Sequence, residues 1–332
     1  MAPPAPAGAR RRAPVARSRR VGAWPHGPFG RLVPSAVWSA LYRTASDPRL
    51  GFELIPGADV EFEGITIKIP ATRVRVSSQG LRGADVLVPK PAGRRRLACV
   101  GDSVAFGWGV REAESYCAVL ASTLGPEWEP LNLGVPGYGA AQKLAQLELK
   151  ALPLEPDLVL VQLDQNDRDP PDTQADGDSV WAWLVDRSAI ARFIHIRLRQ
   201  SAAGSEPEGE GSGDGPVAPF DGEAEARAAF EAMTSLLRER RIPLVVFMRV
   251  TEQESALVAR LGVLEVPVVD VGPALRGDAR FGPAISPEAP EIQGDGHPTA
   301  EGHRRIAAAL LPALKPWTAP AAGTLGSPVL PR

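Results

Sequence analysis

From residue 96 to residue 314 the chain alternates short apolar runs with longer stretches whose apolar residues recur at helical spacing. Residues 96–100 (RLACV), 129–133, 157–163 (DLVLVQL), 242–250 and 266–271 read as strands. The third is almost wholly apolar, as a strand covered on both faces must be. Residues 112–124, 140–152, 179–200, 223–240, 252–261 and 298–314 carry the i, i+3, i+4 spacing of helices with one buried side. Strands alternating with helices predict a parallel sheet with helices on both faces.

Upstream, the texture changes. Residues 60–69 (VEFEGITIKI) mostly alternate apolar with polar, the period of a strand with one wet face. The Gly64-Ile65 step shifts the phase once, which suggests a turn or bulge. Residues 74–76 continue the pattern, so residues 46–95 read as a small β-rich leader. Residues 1–45 and 317–332, rich in Ala, Pro, Gly and Arg, read as disordered tails, since such composition buries too little apolar surface to offset chain entropy. Residues 201–221, mostly Gly, Ser, Pro and acids, read as a flexible insert in a unit spanning 96–316.

Composition narrows the function. The chain has 332 residues and a formal net charge of −2, with no basic face of the kind that marks nucleic-acid binding. No segment is long and apolar enough to span a membrane; the best N-terminal candidate, residues 32–42, is about half the ~20 residues required. Ser18-Arg19-Arg20 faintly resembles a twin-arginine signal, but Trp24-Pro25-His26-Gly27-Pro28 breaks the apolar stretch that should follow. With no convincing export signal, the location is left open, with a cytoplasmic one as the default expectation and export as the alternative. Cys99 and Cys117 read as two buried small hydrophobes, since disulfide frameworks use more cysteines in shorter chains. No ligand spacing suggests a metal site.

Four stretches could carry chemistry, and each has a plainer structural use. Gly101-Asp102-Ser103 ends the first strand of the sheet, where open α/β sheets gather their ligands. Ser103 could expose its hydroxyl there as a nucleophile, or cap the next helix. A serine nucleophile needs a base and a group to orient that base. Of the four histidines, His26 lies in the tail, His195 among arginines on the long helix, and His303 inside the closing helix, at the surface or packed locally. Only His297 sits in a loop beside an acid, Asp295, and a helix-opening proline, Pro298. Asp295 could instead cap a turn. Gly134, after the second strand, could offer its N–H to a ligand or serve a Gly/Pro turn. Asn166, after the third, could donate its side-chain amide to an oxyanion or form an Asx turn.

Taken in order, these stretches resemble the blocks of the SGNH hydrolases, also called the GDSL family, over about residues 96–314. Gly101-Asp102-Ser103 is similar to the first block, Asn132-Leu133-Gly134 to the second, Asn166-Asp167 to the third, and Asp295 with His297 to the last. Ser78-Gln79-Gly80-Leu81-Arg82-Gly83 also looks like a segment that precedes this domain in some bacterial members. The resemblance implies a flavodoxin-like α/β/α sandwich and a serine ester hydrolase that needs no cofactor. It implies Ser103, His297 and Asp295 as the triad. The Ser103 N–H, the Gly134 N–H and the Asn166 side chain would form the oxyanion hole. The expected substrate is a small-molecule or carbohydrate ester.

Three positions depart from the family pattern. Asp164 stands where the third block usually has glycine, and Asp295 is two residues before His297 rather than three. Val104 follows the serine in place of leucine. The motifs leave open transfer of the acyl group to a sugar hydroxyl. They also leave open a catalytically silent domain that binds carbohydrate or protein, which Asp164 would suit. A nucleotide-binding domain is disfavoured: Gly107-Trp108-Gly109 lacks the third glycine of the dinucleotide fingerprint.

Overall fold

A computed structural model of the chain describes residues 19–21, 40–62, 71–168, 221–249, 255–275, 290–291 and 297–318. The leader is β-rich. It contains β1 (Arg19–Val21), β2 (Tyr42–Thr44), β3 (Phe52–Leu54), β4 (Asp59–Phe62) and β5 (Thr72–Arg75). β2 pairs antiparallel with β3, and β4 lies between β1 and β5. In β5, Thr72 and Val74 are buried while Arg73 and Arg75 are exposed, the one-faced alternation expected of such a strand. The Gly64-Ile65 step lies outside the described residues.

The tail boundary at residue 45 needs correction. β1 and β2 both lie before it, and Leu41 is fully buried. The apolar Ala40-Leu41-Tyr42 step, at the end of a Pro- and Arg-rich stretch, supplies enough surface to be captured by the leader's core.

The main body contains β6 (Arg95–Gly101), α1 (Ser103–Phe106), α2 (Tyr116–Leu124), β7 (Trp128–Gly134), α3 (Ala140–Gln146), β8 (Leu158–Gln162) and α4 (Gly222–Glu239). β9 (Leu244–Met248), α5 (Ser255–Val263), β10 (Val268–Asp270), α6 (Gly272–Leu275) and α7 (Ala300–Thr318) follow. The five strands pair in parallel in the order β10-β9-β8-β6-β7. This is the flavodoxin-like order. The chain steps from β6 to one neighbour, then returns past it to β8, so a crevice opens between the carboxyl ends of β6 and β8.

Strand alternation divides the core. Leu97 and Cys99 of β6 face α2 and α7, in a cluster with Tyr116, Leu120, Ile306 and Leu310. Ala98 and Val100 face the opposite side, in a cluster with Phe230, Met233 and Leu261 of α4 and α5. The two cysteines therefore do not sit as separate thiols: Cys99 and Cys117 form a disulfide, with Cα atoms 6.0 Å apart. Residue 99 points from β6 onto the face that α2 covers, which brings the pair into bonding range.

Helix ends differ locally from the sequence pattern. The 112–124 segment is a 3₁₀ turn (Glu112–Glu114) followed by α2, because the Ser115 hydroxyl caps α2 by accepting from the Ala118 N–H at 3.3 Å. α3 stops at Gln146 and runs on through a π-helical turn (Leu147–Ala151) and a 3₁₀ turn containing Pro153. α7 opens two residues after Pro298, with the Thr299 hydroxyl accepting from the Gly302 N–H, and continues past Pro312 and Pro316 to Thr318. The helix expected over 179–200 and the insert up to residue 220 lie outside the described residues; Asp221 is the cap of α4.

Candidate active site

β6 is buried along its length and ends at Gly101, on the edge of the crevice. Gly101 has no room for a side chain: a Cβ there would lie 2.6 Å from both Ala105 Cβ and Gln162 Oε1. The chain then turns sharply. Asp102 caps α1, its Oδ1 accepting from the Val104 N–H at 3.0 Å. Ser103 is the first residue of α1, half-buried at the crevice mouth. Gly107 closes the short helix in the left-handed region (φ 82°) and donates to the Ser103 carbonyl.

His297 arrives from the far end of the sequence, in the loop before α7. Its Nε2 lies 2.8 Å from the Ser103 Oγ, across 194 residues of sequence. The Trp108 ring flanks the imidazole, with centroids 6.4 Å apart. A hydroxyl hydrogen-bonded to a half-buried imidazole is the pairing that lets one group lose a proton to the other. Asp295 lies outside the described residues.

Gly134 and Asn166, the other two expected oxyanion donors, stand at the ends of the strands that flank β6. Gly134 ends β7 in register with Gly101 of β6. A Cβ on Gly134 would collide with the backbone of Ala105 and Phe106, so its bareness lets α1 press against β7. Its N–H donates to Asn132 Oδ1 at 3.0 Å. Asn166 lies in a 3₁₀ turn (Gln165–Arg168) just beyond β8; its side chain is outside the described residues. His303 is not at the surface. It is fully buried, stacked on Tyr116, and its Nδ1 accepts from the Tyr116 N–H at 3.2 Å. Burial drives its pKa down to about 3, and the nearby guanidinium of Arg82 adds to this. His26 and His195 lie outside the described residues.

Several residues that shape the site were not singled out from sequence. Gln162, the last residue of β8, accepts from the Asp102 and Ala105 N–H groups at 3.3 and 3.0 Å and so braces the turn that carries Ser103. It donates in turn to Asp164 Oδ2 at 3.1 Å. The carboxylate that replaces the usual glycine is therefore tied into the support of the turn. Arg82 of the leader is buried and reaches the carbonyls of Phe106, Gly107 and Val110, with its guanidinium over the Phe106 ring. It serves the C-terminal carbonyls that a helix leaves unsatisfied. A fully buried lysine, Lys143, lies beneath the crevice. One signal pointed to Gln162: it is the polar residue in an otherwise apolar run (LVLVQL).

A parallel sheet in flavodoxin-like order, with a Gly-Asp-Ser turn at its switch point and a histidine from the last loop against the serine, defines an SGNH-type hydrolase. The chain belongs to the GDSL-like lipase/acylhydrolase family, whose model matches residues 99–305. Solved structures of similar fold include a GDSL-like lipase from Bacteroides thetaiotaomicron VPI-5482, at 14% identity over 69% of this chain and 92% of that one, with a TM-score of 0.41. TesA is similar at 18% identity over 67% and 99%, with a TM-score of 0.43. The SGNH-family esterase AlinE4 is similar at 22% over 69% and 98%, with a TM-score of 0.37. No curated protein matches the sequence. Among the described residues, no helix is long and apolar enough to cross a membrane.

Proposed function

We propose that the chain is a serine ester hydrolase of the carboxylesterase or carbohydrate-deacetylase type, with Ser103 as nucleophile, His297 as general base and Asp295 orienting the imidazole. The 2.8 Å contact between Ser103 Oγ and His297 Nε2 carries this reading. Ser103 attacks the ester carbonyl while His297 takes its proton. The carbonyl oxygen becomes an oxyanion, received by the Ser103 N–H, the Gly134 N–H and the Asn166 side chain. Because the Gly134 N–H already donates to Asn132 Oδ1, it serves the oxyanion by sharing or leaving that acceptor. His297 then returns the proton to the departing alkoxide, leaving an acyl-serine. A water molecule, deprotonated by His297, attacks the acyl-serine; the intermediate collapses to the acid as His297 passes the proton to the departing Ser103 Oγ. A sugar hydroxyl in place of that water would give acyl transfer instead.

Hydrolysis of p-nitrophenyl esters of increasing chain length, run beside acetylated sugars, tests the assignment. Ser103→Ala and His297→Ala are each expected to lower kcat by at least about 10³-fold. Ser103→Ala should also abolish labelling by a fluorophosphonate. Full turnover in either variant would remove these residues from the reaction.

A further inference from the structure

Lys143, on α3, is completely buried, an unusual place for an ammonium unless paired. Its Nζ lies 2.8 Å from Asp167 Oδ1 and 3.5 Å from Asp102 Oδ2, and it donates to the Gln162 carbonyl at 3.1 Å. The side chains of both carboxylates are also buried, at 0% and 1% exposure for Asp102 and Asp167. One ammonium thus faces two buried carboxyl groups in a region of low dielectric.

Each carboxylate holds a different turn. Asp102 Oδ1 accepts from the Val104 N–H and so shapes the turn that presents Ser103. Asp167 Oδ2 accepts from the Asp164 N–H at 2.7 Å, and the Asp167 N–H donates to the Asp164 carbonyl at 3.0 Å; together they close the turn that carries Asn166. Lys143 touches both carboxylates and the strand end between them.

We propose that Lys143 is a positioning residue: its ammonium ties the Ser103 turn to the Asn166 turn, so that nucleophile and oxyanion donor are held in one fixed relation. The inference rests on the roles given above to Ser103 and Asn166. The charge balance agrees with it. Burial pulls Lys143 down, but Asp167 and Asp102 outweigh that pull, and its pKa ends above the ordinary lysine value. Lys143 therefore stays an ammonium throughout the neutral range.

The pairing could instead serve stability alone, and the two roles separate experimentally. Lys143→Met strands two buried carboxylates and risks misfolding. The double variant K143M/D167N removes one charge of each sign, leaving only Asp102 without its cation, and residue 167 keeps an oxygen that can accept from the Asp164 N–H. Both turns then keep their own closures but lose the tie between them. Thermal midpoint, kcat and KM are read on the ester that the wild type cleaves fastest. The proposal expects the double variant to fold with kcat lowered about 10²-fold and KM within about 3-fold, since a misplacement of about 1 Å costs this much. Lys143→Arg should recover at least about a tenth of the wild-type kcat.

A folded double variant with wild-type kcat would overturn the proposal and leave Lys143 a structural residue. So would a kcat that tracks the thermal midpoint across the variants. The underlying assignment fails separately: it falls if Ser103→Ala hydrolyses the same ester at the wild-type rate, and the proposal then falls with it.

Discussion

At the scale of the residue, the site depends as much on missing side chains as on present ones. Gly134 was expected to offer an N–H, yet its bareness also decides how closely α1 approaches β7. Gly134→Ala would place a methyl group on the backbone of Ala105 and Phe106, which no rotamer change can relieve. Overpacking of this kind costs about 1–3 kcal/mol, and the strain falls on the helix that begins with Ser103. The expected outcome is a folded but less stable protein whose fluorophosphonate labelling is at least about 10²-fold slower. Labelling at the wild-type rate would show that α1 moves freely without harm to the serine. The same scale shows where sequence reasoning stopped. A serine after a strand and a histidine before a helix can be matched to roles because their chemistry is specific. Lys143 announces nothing singly, and Asp102 and Asp167 show in sequence only as neighbours of Ser103 and Asn166; their joint meaning appears only when three segments converge.

At the scale of the element, strand periodicity located the five described strands of the main sheet, because the inner strands leave runs of apolar residues that few loops imitate; β10, at the edge, is only half-buried. Ends were harder. α2 starts at residue 116 rather than 112 because one hydroxyl, Ser115, competes for the first turn. The disulfide was missed for a related reason: sequence spacing does not say that residue 99 of β6 faces α2. Cys99 and Cys117 are 18 residues apart and join the strand that leads into the Ser103 turn to the helix packed behind it. Closing a loop of that length stabilises a protein by roughly 3 kcal/mol, chiefly by restricting the unfolded chain. Cys99→Ala/Cys117→Ala should lower the unfolding free energy by about that amount in denaturant titrations under oxidising conditions. Equal midpoints for the variant and the oxidised wild type would show that the bond contributes nothing to the fold.

At the scale of the whole molecule, the leader and the sheet share one body. Phe52, Leu54 and Val74 of the leader pack with Phe106, Trp108 and Tyr138 of the main body, and Lys150 pairs with Glu53 at 2.8 Å. The opposite flank is closed by α7, where His303 accepts from the first N–H of α2. That bond requires an unprotonated Nδ1, so protonation would break the contact between two helices. His303 is pushed down to about 3 from the ordinary value of 6.5. A histidine depressed in the folded state contributes stability that is present above pH 6.5 and is lost as pH falls toward 3. Asp167 acts in the other direction: burial, partly countered by Lys143, pushes it up to about 6. Its contribution is greatest below the unfolded carboxylate value of 3.8 and disappears as pH rises through 6. Between pH 6 and 4 the two effects oppose each other, so acid should unfold the wild type less steeply than His303 alone would dictate. His303→Gln, which keeps an acceptor near the Tyr116 N–H but cannot titrate, uncovers the balance. Its stability relative to the wild type should rise by about 1.4 kcal/mol for each pH unit lowered below about 6. Denaturant titrations of both proteins from pH 7 to 4 measure this difference directly. Parallel curves over that range would mean that His303 is protonated as readily in the folded chain as in the unfolded one, and that α2 and α7 are not joined through a neutral imidazole.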